Sequence, residues 1–308
     1  MSEIIRDVII IGGGPAGLTS GIYASRARMK ALLIDNFGIQ GQALTADIIE
    51  NYPGFHDGFT GIQFIANLKK QSEKFGLQTV SEKVVTINYS PKIIEVQTED
   101  NLHHSRSLII ATGSKPRELG IPGENTFTNR GVSYCAVCDA PLYKNKSVVV
   151  IGGGDTAIEE ALFLSKFAEK VTIIHRREKL RAVMILQERV LLNRKITLVW
   201  NSQVTEISGA NKVESVQVEN VQTREKTKID CDAVFMAVGY EPNTQLLKNI
   251  VKVNEKGYII TDDEMKTDKP GIFAAGDCRQ KRLKQMVTAC SDGATAAFSA
   301  EQYVDSLE

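Results

Sequence analysis

One ten-residue segment occurs twice in this chain. Residues 8–17 read VIIIGGGPAG and residues 148–157 read VVVIGGGDTA, and they align without gaps so that Gly12 falls on Gly152. Each is a β-branched run ending in glycines, followed by a helix with small residues on one face, which is how a βαβ unit opens. A second apolar strand completes each unit, residues 31–35 in the first and 171–175 in the second. Short segments of alternating pattern come next. They lie near residues 80–87 and 92–97 in the first half, and near 196–200, 204–207, 213–218 and 226–229 in the second. Both halves close on an apolar strand ending in small residues, 108–113 and 233–239. The pattern predicts an α/β fold of two Rossmann-like dinucleotide-binding domains, each with a small antiparallel β-meander.

Two polar, proline-bearing stretches mark the crossings between the halves: Ser114-Lys115-Pro116-Arg117 and Tyr240-Glu241-Pro242-Asn243. The C-terminal stretch contains Gly271-Ile272-Phe273-Ala274-Ala275-Gly276-Asp277 and is too short for a third domain, so it returns to the first. The expected division is therefore 1–116 with 244–308 as one domain, and 117–243 as a second inserted in it. A length of 308 residues suits two domains, and Lys plus Arg balance Asp plus Glu at 37 each, so charge points to no nucleic-acid partner. No run approaches the roughly 18 apolar residues of a membrane helix, and Met1-Ser2-Glu3 lacks the basic start of a signal peptide. A cytoplasmic protein is expected.

The first fingerprint, Gly12, Gly14 and Gly17, has the G-x-G-x-x-G spacing directly after a buried strand. Its glycines serve a tight turn, close approach of backbone to a pyrophosphate and close helix–strand packing. Pro15 suits the first helical turn, Ala16 follows it, and the helix start offers free amides to phosphate. Asp35, about 20 residues on, is placed to accept from a ribose hydroxyl pair. The second fingerprint repeats this with Gly152, Gly154 and Ala157 around Asp155 and Thr156. Where an NAD site carries an acid, this chain reads His175-Arg176-Arg177, with Arg181 one turn later. Those cations suit a 2′-phosphate, so NADPH is expected over NADH.

Just upstream of the second fingerprint lies Cys135-Ala136-Val137-Cys138-Asp139. A lone C-x-x-C in such a protein reads as redox-active. A zinc site needs two further ligands at sensible spacing, whereas Cys231, Cys278 and Cys290 are solitary and His103-His104 reads as a polar turn; no metal is expected. The three single cysteines read as packing residues. Asp139 can serve as acid or base for thiolate chemistry, or simply as a helix-start carboxylate. A thiol pair beside one nucleotide site in a chain with a second such site suggests an electron relay.

The stretches GGGPAGL, GQA with ENYPGF, ATGSKPR, CAVCDA, GGGDTAIEEA, HRREKLRA and GIFAAGDCR with QMVTACSDGATAA closely resemble the low-molecular-weight thioredoxin reductases, nearly end to end. The resemblance implies that the first domain binds FAD, with Gln42 and Asn51 near the flavin, Asp277 on its ribityl chain, and Gln285 and Met286 at the isoalloxazine. Thr112, Gly113 and Gly276 fall in the same matched stretches, and Glu159 matches a carboxylate near the nicotinamide. It implies a homodimer, with Cys138 facing the flavin, Cys135 attacking the substrate disulfide and Asp139 managing the proton. It also implies that the inserted domain swings, alternately presenting cysteines and nicotinamide to the flavin. Three positions depart from the family pattern: Gln40-Gly41-Gln42 for Gly-Gly-Gln, Lys284 for an arginine, and Ala140-Pro141-Leu142 where many members have glycine and aromatics. In the family that last loop helps dock thioredoxin together with the position of Arg130, which is retained. The acceptor is thus expected to be thioredoxin, with a thioredoxin-like or glutaredoxin-like protein as the alternative. A redox sensor without turnover is the rival of another class, and the complete NADPH fingerprint argues against it. Ferredoxin-driven relatives and dithiol oxidases tend to lose that fingerprint.

Overall fold

The computed structural model describes residues 4–36, 41–46 and 48–307. Residue Gln40 and the Met1-Ser2-Glu3 start lie outside the described residues. In chain order the main elements are β1 (Ile5–Ile11), α1 (Pro15–Arg26), β2 (Ala31–Asp35), α2 (Gly61–Lys74), β3 (Gln78–Ser81), β4 (Val84–Tyr89), β5 (Ile94–Thr98) and β6 (Leu102–Ile110). Then come β7 (Ser114–Pro116), β8 (Val132–Ser133), α3 (Ala136–Asp139), β9 (Ser147–Gly152), α4 (Asp155–Leu164), β10 (Lys170–Ile174), α5 (Met184–Leu192) and β11 (Ile196–Val199). The rest are β12 (Ser202–Ser208), β13 (Ser215–Asn220), β14 (Lys226–Asp230), β15 (Ala233–Ala237), β16 (Tyr240–Pro242), β17 (Ile272–Ala274) and α6 (Met286–Asp305). The chain divides into two compact units, 1–115 with 241–308, and 116–240. The second boundary falls at Tyr240/Glu241 and not after Asn243. Asn243 belongs to the first unit because its backbone N–H donates to Gly113 O (3.0 Å) and its carbonyl accepts from Thr112 Oγ1 (2.6 Å).

The first unit is built on a sheet of order β3-β2-β1-β6-β5-β4, with β17 also paired to β6. Strands β3, β2, β1, β6 and β17 run parallel. Parallel strands are covered on both faces and so read as unbroken apolar runs. Alternation sends Val8 and Ile10 to one face with Leu33, Ile109 and Phe273, and Ile9 and Ile11 to the other with Leu32, Ile34 and Ile110. On the first face α1 and α6 cross closely. A Cβ on Gly293 would lie 2.2 Å from Ala16 O, and Ser20 Oγ donates to Gly293 O across the contact (3.0 Å).

Strand β6 is longer than the expected closing strand and ends at Ile110. Its first half pairs antiparallel with β5 and its second half parallel with β17, so one strand serves both meander and Rossmann sheet. His103 and His104, expected in a turn, lie within it. The His103 ring contacts Glu82 Oε2 at 2.9 Å, and Glu82 also accepts from Thr98 Oγ1 and Asn101 Nδ2. These bonds outweigh burial and hold the Glu82 carboxyl below its usual pKa. The segment 80–87 is likewise two strands, β3 and β4, broken at Glu82 and Lys83.

In the second unit the parallel sheet has the order β11-β10-β9-β15-β8, and β12-β13-β14 form a separate antiparallel sheet. Residues 196–199, expected in the meander, instead extend the parallel sheet as β11 beside β10. β11 follows helix α5 as β3 follows α2, and a helical crossover returns the chain parallel. Val148, Val150, Ile173 and Phe235 pack under α4, whereas Val149, Ile151, Val234 and Met236 face the meander's Val204, Ile207 and Val216. The two crossings, β7 and β16, pair with one another as a two-stranded sheet.

Candidate functional site

At the first fingerprint, β1 runs into Gly12, which has φ +109° and on which a Cβ would stand 2.4 Å from Ala111 O. A Cβ on Gly17 would lie 1.8 Å from Gly12 O, so this glycine lets α1 press against the strand end. Gly14 differs. It has ordinary extended backbone (φ −78°, ψ −174°), caps α1 with no side-chain hydrogen bond, and has no atom within 4 Å of a hypothetical Cβ. Space beside an uncapped helix start, with Pro15 and buried Ala16 opening the helix, is what a pyrophosphate needs. Asp35 closes the turn from the next strand by accepting from Gly13 N–H at 2.9 Å. Burial raises its pKa, opposed by that hydrogen bond and by Lys69.

The second fingerprint has the same geometry on other side chains. A Cβ on Gly152 would meet Ala237 O at 2.4 Å and the buried Ala157 Cβ at 2.7 Å. Gly154 is as open as Gly14 and caps α4 in the same extended conformation. His175 occupies the place of Asp35, and a Cβ on Gly153 would lie 2.4 Å from its Nδ1. Sequence counted His175 among the cations. In the structure it is 5% exposed, its Nε2 is 3.1 Å from Lys179 O, and burial first, then Arg181, Arg177 and Arg176, pushes its pKa down. It is a neutral packing residue beneath the turn. Arg176, Arg177 and Arg181 are exposed and carry the positive charge. Arg181 N–H donates to Gly153 O (2.7 Å) and Val183 N–H to Asp155 Oδ1 (2.8 Å), which ties the basic segment to the helix start. Thr156 is half-buried and Glu159 exposed on the same helix.

Cys135 and Cys138 form a disulfide with a Cα–Cα separation of 5.4 Å. Cys135 is half-buried and caps α3, its Sγ accepting from Cys138 N–H at 3.1 Å; Cys138 is exposed. Asp139 follows, half-buried, its N–H bonded to Cys135 O (3.2 Å). The segment before the pair is fastened by a residue that sequence did not single out. Glu124, 1% exposed, accepts from Gly120 N–H (2.7 Å), Leu119 N–H (3.0 Å) and Tyr134 Oη (2.8 Å). Replacing it with alanine leaves an empty buried site and removes the acceptor from these part-buried donors. Glu124→Ala should cost about 2–4 kcal/mol, read as a lower denaturant midpoint at unchanged slope. An unchanged midpoint would show the cage to be dispensable.

The remaining residues gather in the first unit. Gln42 Nε2 donates to Ser114 O and Oγ (2.6 Å each), and Asn51 Nδ2 to Gln285 Oε1 (3.1 Å). Gln285 caps α6 and Met286 opens it. Thr112 and Gly113 lead from β6 to the first crossing, and the loop after β17 brings Gly276 and Asp277. Asp277 Oδ1 is buried with no hydrogen-bond partner, although Lys281 Nζ lies 3.8 Å away; burial raises the carboxyl's pKa and Lys281 opposes that. An orphaned buried acceptor beside the α1 fingerprint fits the hydroxyls of a nucleotide cofactor. Asp292 on α6, another residue missed in the sequence, holds this loop. It accepts from Gly276 N–H (3.0 Å) and Lys281 Nζ (3.0 Å) and pairs with Arg279 (3.3 Å). A carboxylate set among the small residues of the first half of α6 was the available signal.

Cys231, Cys278 and Cys290 are buried free thiols. Burial pushes Cys231 up to about 12 and Cys278 up to about 11, which leaves both inert. Among the described residues no group of three or more His, Cys, Asp or Glu could hold a metal ion, and no helix is long and apolar enough to cross a membrane.

Residues 6–293 match the family described as pyridine nucleotide-disulphide oxidoreductase. Thioredoxin reductase of Treponema pallidum (strain Nichols) is 47% identical over 306 residues, covering 99% of both chains. That of Peptoclostridium acidaminophilum is 44% identical over 309 residues, covering 98% of both. Among solved structures, Lactococcus lactis thioredoxin reductase in the FR conformation superposes with a TM-score of 0.96 at 43% identity, covering 98% of this chain and 99% of that one. With two nucleotide fingerprints, a disulfide between them in sequence and matches along nearly its whole length, the chain belongs to the thioredoxin reductases of the pyridine nucleotide-disulphide oxidoreductase family.

Proposed function

We propose that this chain is an NADPH-dependent thioredoxin-disulfide reductase, with FAD on the first unit, NADPH on the second, and Cys135–Cys138 as the exchanging disulfide. The observation that carries the reading is the formed Cys135–Cys138 disulfide on the same unit as the basic nucleotide fingerprint, in a chain whose other unit offers an open, uncapped helix start at Gly14. FAD, when bound, supplies the two-electron step between nicotinamide and disulfide. The chain's own residues bind and orient. Gly14 and the α1 amides take the flavin nucleotide's pyrophosphate, while Asp35, its Oδ1 bonded to the Gly13 N–H, closes the ribose end. Asp277, with its orphaned oxygen, takes hydroxyls of the linking chain, and Gln42, Asn51, Thr112, Gly113, Gly276, Gln285 and Met286 frame the ring. On the second unit Gly154, Thr156 and the α4 start take the second pyrophosphate, with Glu159 toward the nicotinamide. Arg176, Arg177 and Arg181 take the 2′-phosphate; the buried His175 shapes the turn.

Once the disulfide opens, Cys135 attacks the acceptor's disulfide, Cys138 resolves the mixed disulfide, and Asp139 holds the proton exchanged at sulfur. Nicotinamide site and cysteines share one unit while the flavin site is on the other, so turnover requires the unit carrying 116–240 to move at its two crossings. The reading includes a homodimer, as the resemblance implies, and a cytoplasmic location, as the lone C-x-x-C suggests. Leu142, 74% exposed just beyond the cysteines, gives this chain its own acceptor-facing surface, with Arg130 also exposed.

Cofactor choice is tested by the double substitution Arg176→Ala with Arg177→Ala. A charge-assisted hydrogen bond is worth about 1.5–3 kcal/mol, so KM for NADPH should rise roughly 10- to 100-fold or more while KM for NADH stays nearly unchanged. An equal effect on both would remove these arginines from 2′-phosphate recognition.

A further inference from the structure

Helix α4 carries two adjacent acids, Glu159, which is exposed, and Glu160, which is half-buried. Small residues let α3 approach α4 closely: Ala136 and Ala140 on one side, Ala157 and Ala161 on the other, all essentially buried. Glu160 sits at this contact. The backbone N–H of Ala136, the residue that follows Cys135, pulls on its carboxyl, and its Oε2 is buried with no hydrogen-bond partner. A carboxyl desolvated this way is costly as an anion and inexpensive as an acid. Burial, with a smaller push from Glu159, raises its pKa to about 8 against the pull of the Ala136 N–H.

We propose that Glu160 is a positioning residue for the redox pair, anchoring the backbone between the cysteines and taking up a proton when their disulfide opens. The inference rests on Cys135–Cys138 being the exchanging disulfide. Reduction adds two electrons, breaks the S–S bond and, with one proton, leaves a thiol and a thiolate. The new thiolate is a negative charge on the element packed against Glu160, so it favours the protonated carboxyl and a second proton goes to Glu160. When the thiolate passes its electrons to the acceptor disulfide and the bond reforms, that proton leaves. The electrons come from NADPH in turnover and from dithiothreitol in the test below.

The other charges around the carboxyl are few. Its own helix has Glu159 and Asp155, the latter bonded to Val183 N–H. From α3 and the turn after it come Cys135, Cys138, Asp139 and Tyr143. Helix α5 carries Glu188 and Arg189, and β10 begins with Lys170, while β9 and β15 carry no ionisable side chain. The sign follows from a raised acid pKa. Glu160 is largely protonated well below about pH 8 whether the pair is oxidised or reduced, so redox-linked proton uptake belongs to the range around and above that pH.

Glu160→Gln keeps an acceptor for Ala136 N–H and removes the titration. The full-length, flavin-loaded protein is reduced with dithiothreitol and alkylated with iodoacetamide between about pH 6 and pH 10, with modified cysteines located by mass spectrometry. In the wild type, alkylation of the pair should rise over a broad pH range, because the two thiols and the carboxyl titrate jointly. In Glu160→Gln the contribution of the carboxyl should disappear, so the rise should be narrower and at lower pH, and at about pH 9 alkylation should be faster by about threefold or more, the size of one nearby like charge in a wet environment. Superimposable profiles in a variant of unchanged thermal midpoint would overturn the proposal. Redox-difference infrared spectra of the wild type, taken just above pH 8, give a reading that needs no variant. Reduction should produce a protonated-carboxyl band, and its absence would also overturn the proposal. Because dithiothreitol replaces NADPH, a failure of thioredoxin-dependent turnover would strike the proposed function and leave this test intact.

Discussion

Cys138→Ser should leave a protein that still takes electrons from NADPH and delivers none to a protein disulfide. Serine keeps the shape of the turn, and the N–H of residue 138 can still donate to Cys135 Sγ as it does now at 3.1 Å. What disappears is the sulfur that closes the ring with Cys135. A hydroxyl neither forms a disulfide nor serves as a thiolate near neutral pH, so the exchange has no path. Removing one member of a group that acts as a unit costs on the order of 10³-fold or more in turnover. Thioredoxin reduction should fall by at least that much. Bleaching of the flavin by NADPH under anaerobic conditions should continue, because both nucleotide fingerprints lie away from the substituted atom in sequence. Retained thioredoxin reduction would show that electrons reach the acceptor by another route. Lost flavin reduction would show that the substitution damages more than the exchange.

Gly14→Val and Gly17→Val should fail in opposite ways. At Gly17 a Cβ would stand 1.8 Å from Gly12 O, a backbone atom of the strand end that cannot retreat, so α1 must lift off the sheet. Forced overpacking costs about 1–3 kcal/mol and sometimes more, and this contact is tight enough for the upper end. The result should be poor folding. At Gly14 the backbone angles suit any residue and nothing lies within 4 Å of the added Cβ, so the chain should fold with an unchanged denaturant midpoint. The side chain would then occupy the space assigned to the pyrophosphate. FAD retention after gel filtration should drop, with affinity weaker by on the order of 10²-fold or more, equivalent to about 3 kcal/mol. A Gly14→Val protein that keeps its flavin would remove the first fingerprint from the site.

Much of this was legible because it is local in sequence. Fingerprint spacing, the cysteine pair and the basic run after the second strand depend on residues within a few turns of one another. The gapless repeat carried the correspondence further, since Asp35 and His175 occupy equivalent places beneath equivalent glycines. Their chemistry was not legible in the same way. His175 reads as a cation next to two arginines, yet burial at the strand end leaves it neutral, and burial is set by the sheet and by Lys179. Strand β6 was shortened in the sequence because His103 and His104 look like surface residues, and their tie to Glu82 comes from a neighbouring segment of the sheet. Glu124, Glu160 and Asp292 were missed for the same reason. Each is an ordinary acid until the fold surrounds it: Glu124 by the backbone of its own folded-back loop and Tyr134, Asp292 by the loop after β17, and Glu160 by the helix packed against its own.

The most direct measurement is anaerobic oxidation of NADPH by the purified flavin-loaded chain, with and without oxidised thioredoxin, counting thiols formed on thioredoxin against NADPH consumed. Thioredoxin-dependent NADPH loss should appear with two thiols formed per NADPH, as the two-electron balance requires, and NADH should be a poor substitute. NADPH consumption that is independent of thioredoxin, or a flavin that is reduced and never reoxidised by it, would contradict the account.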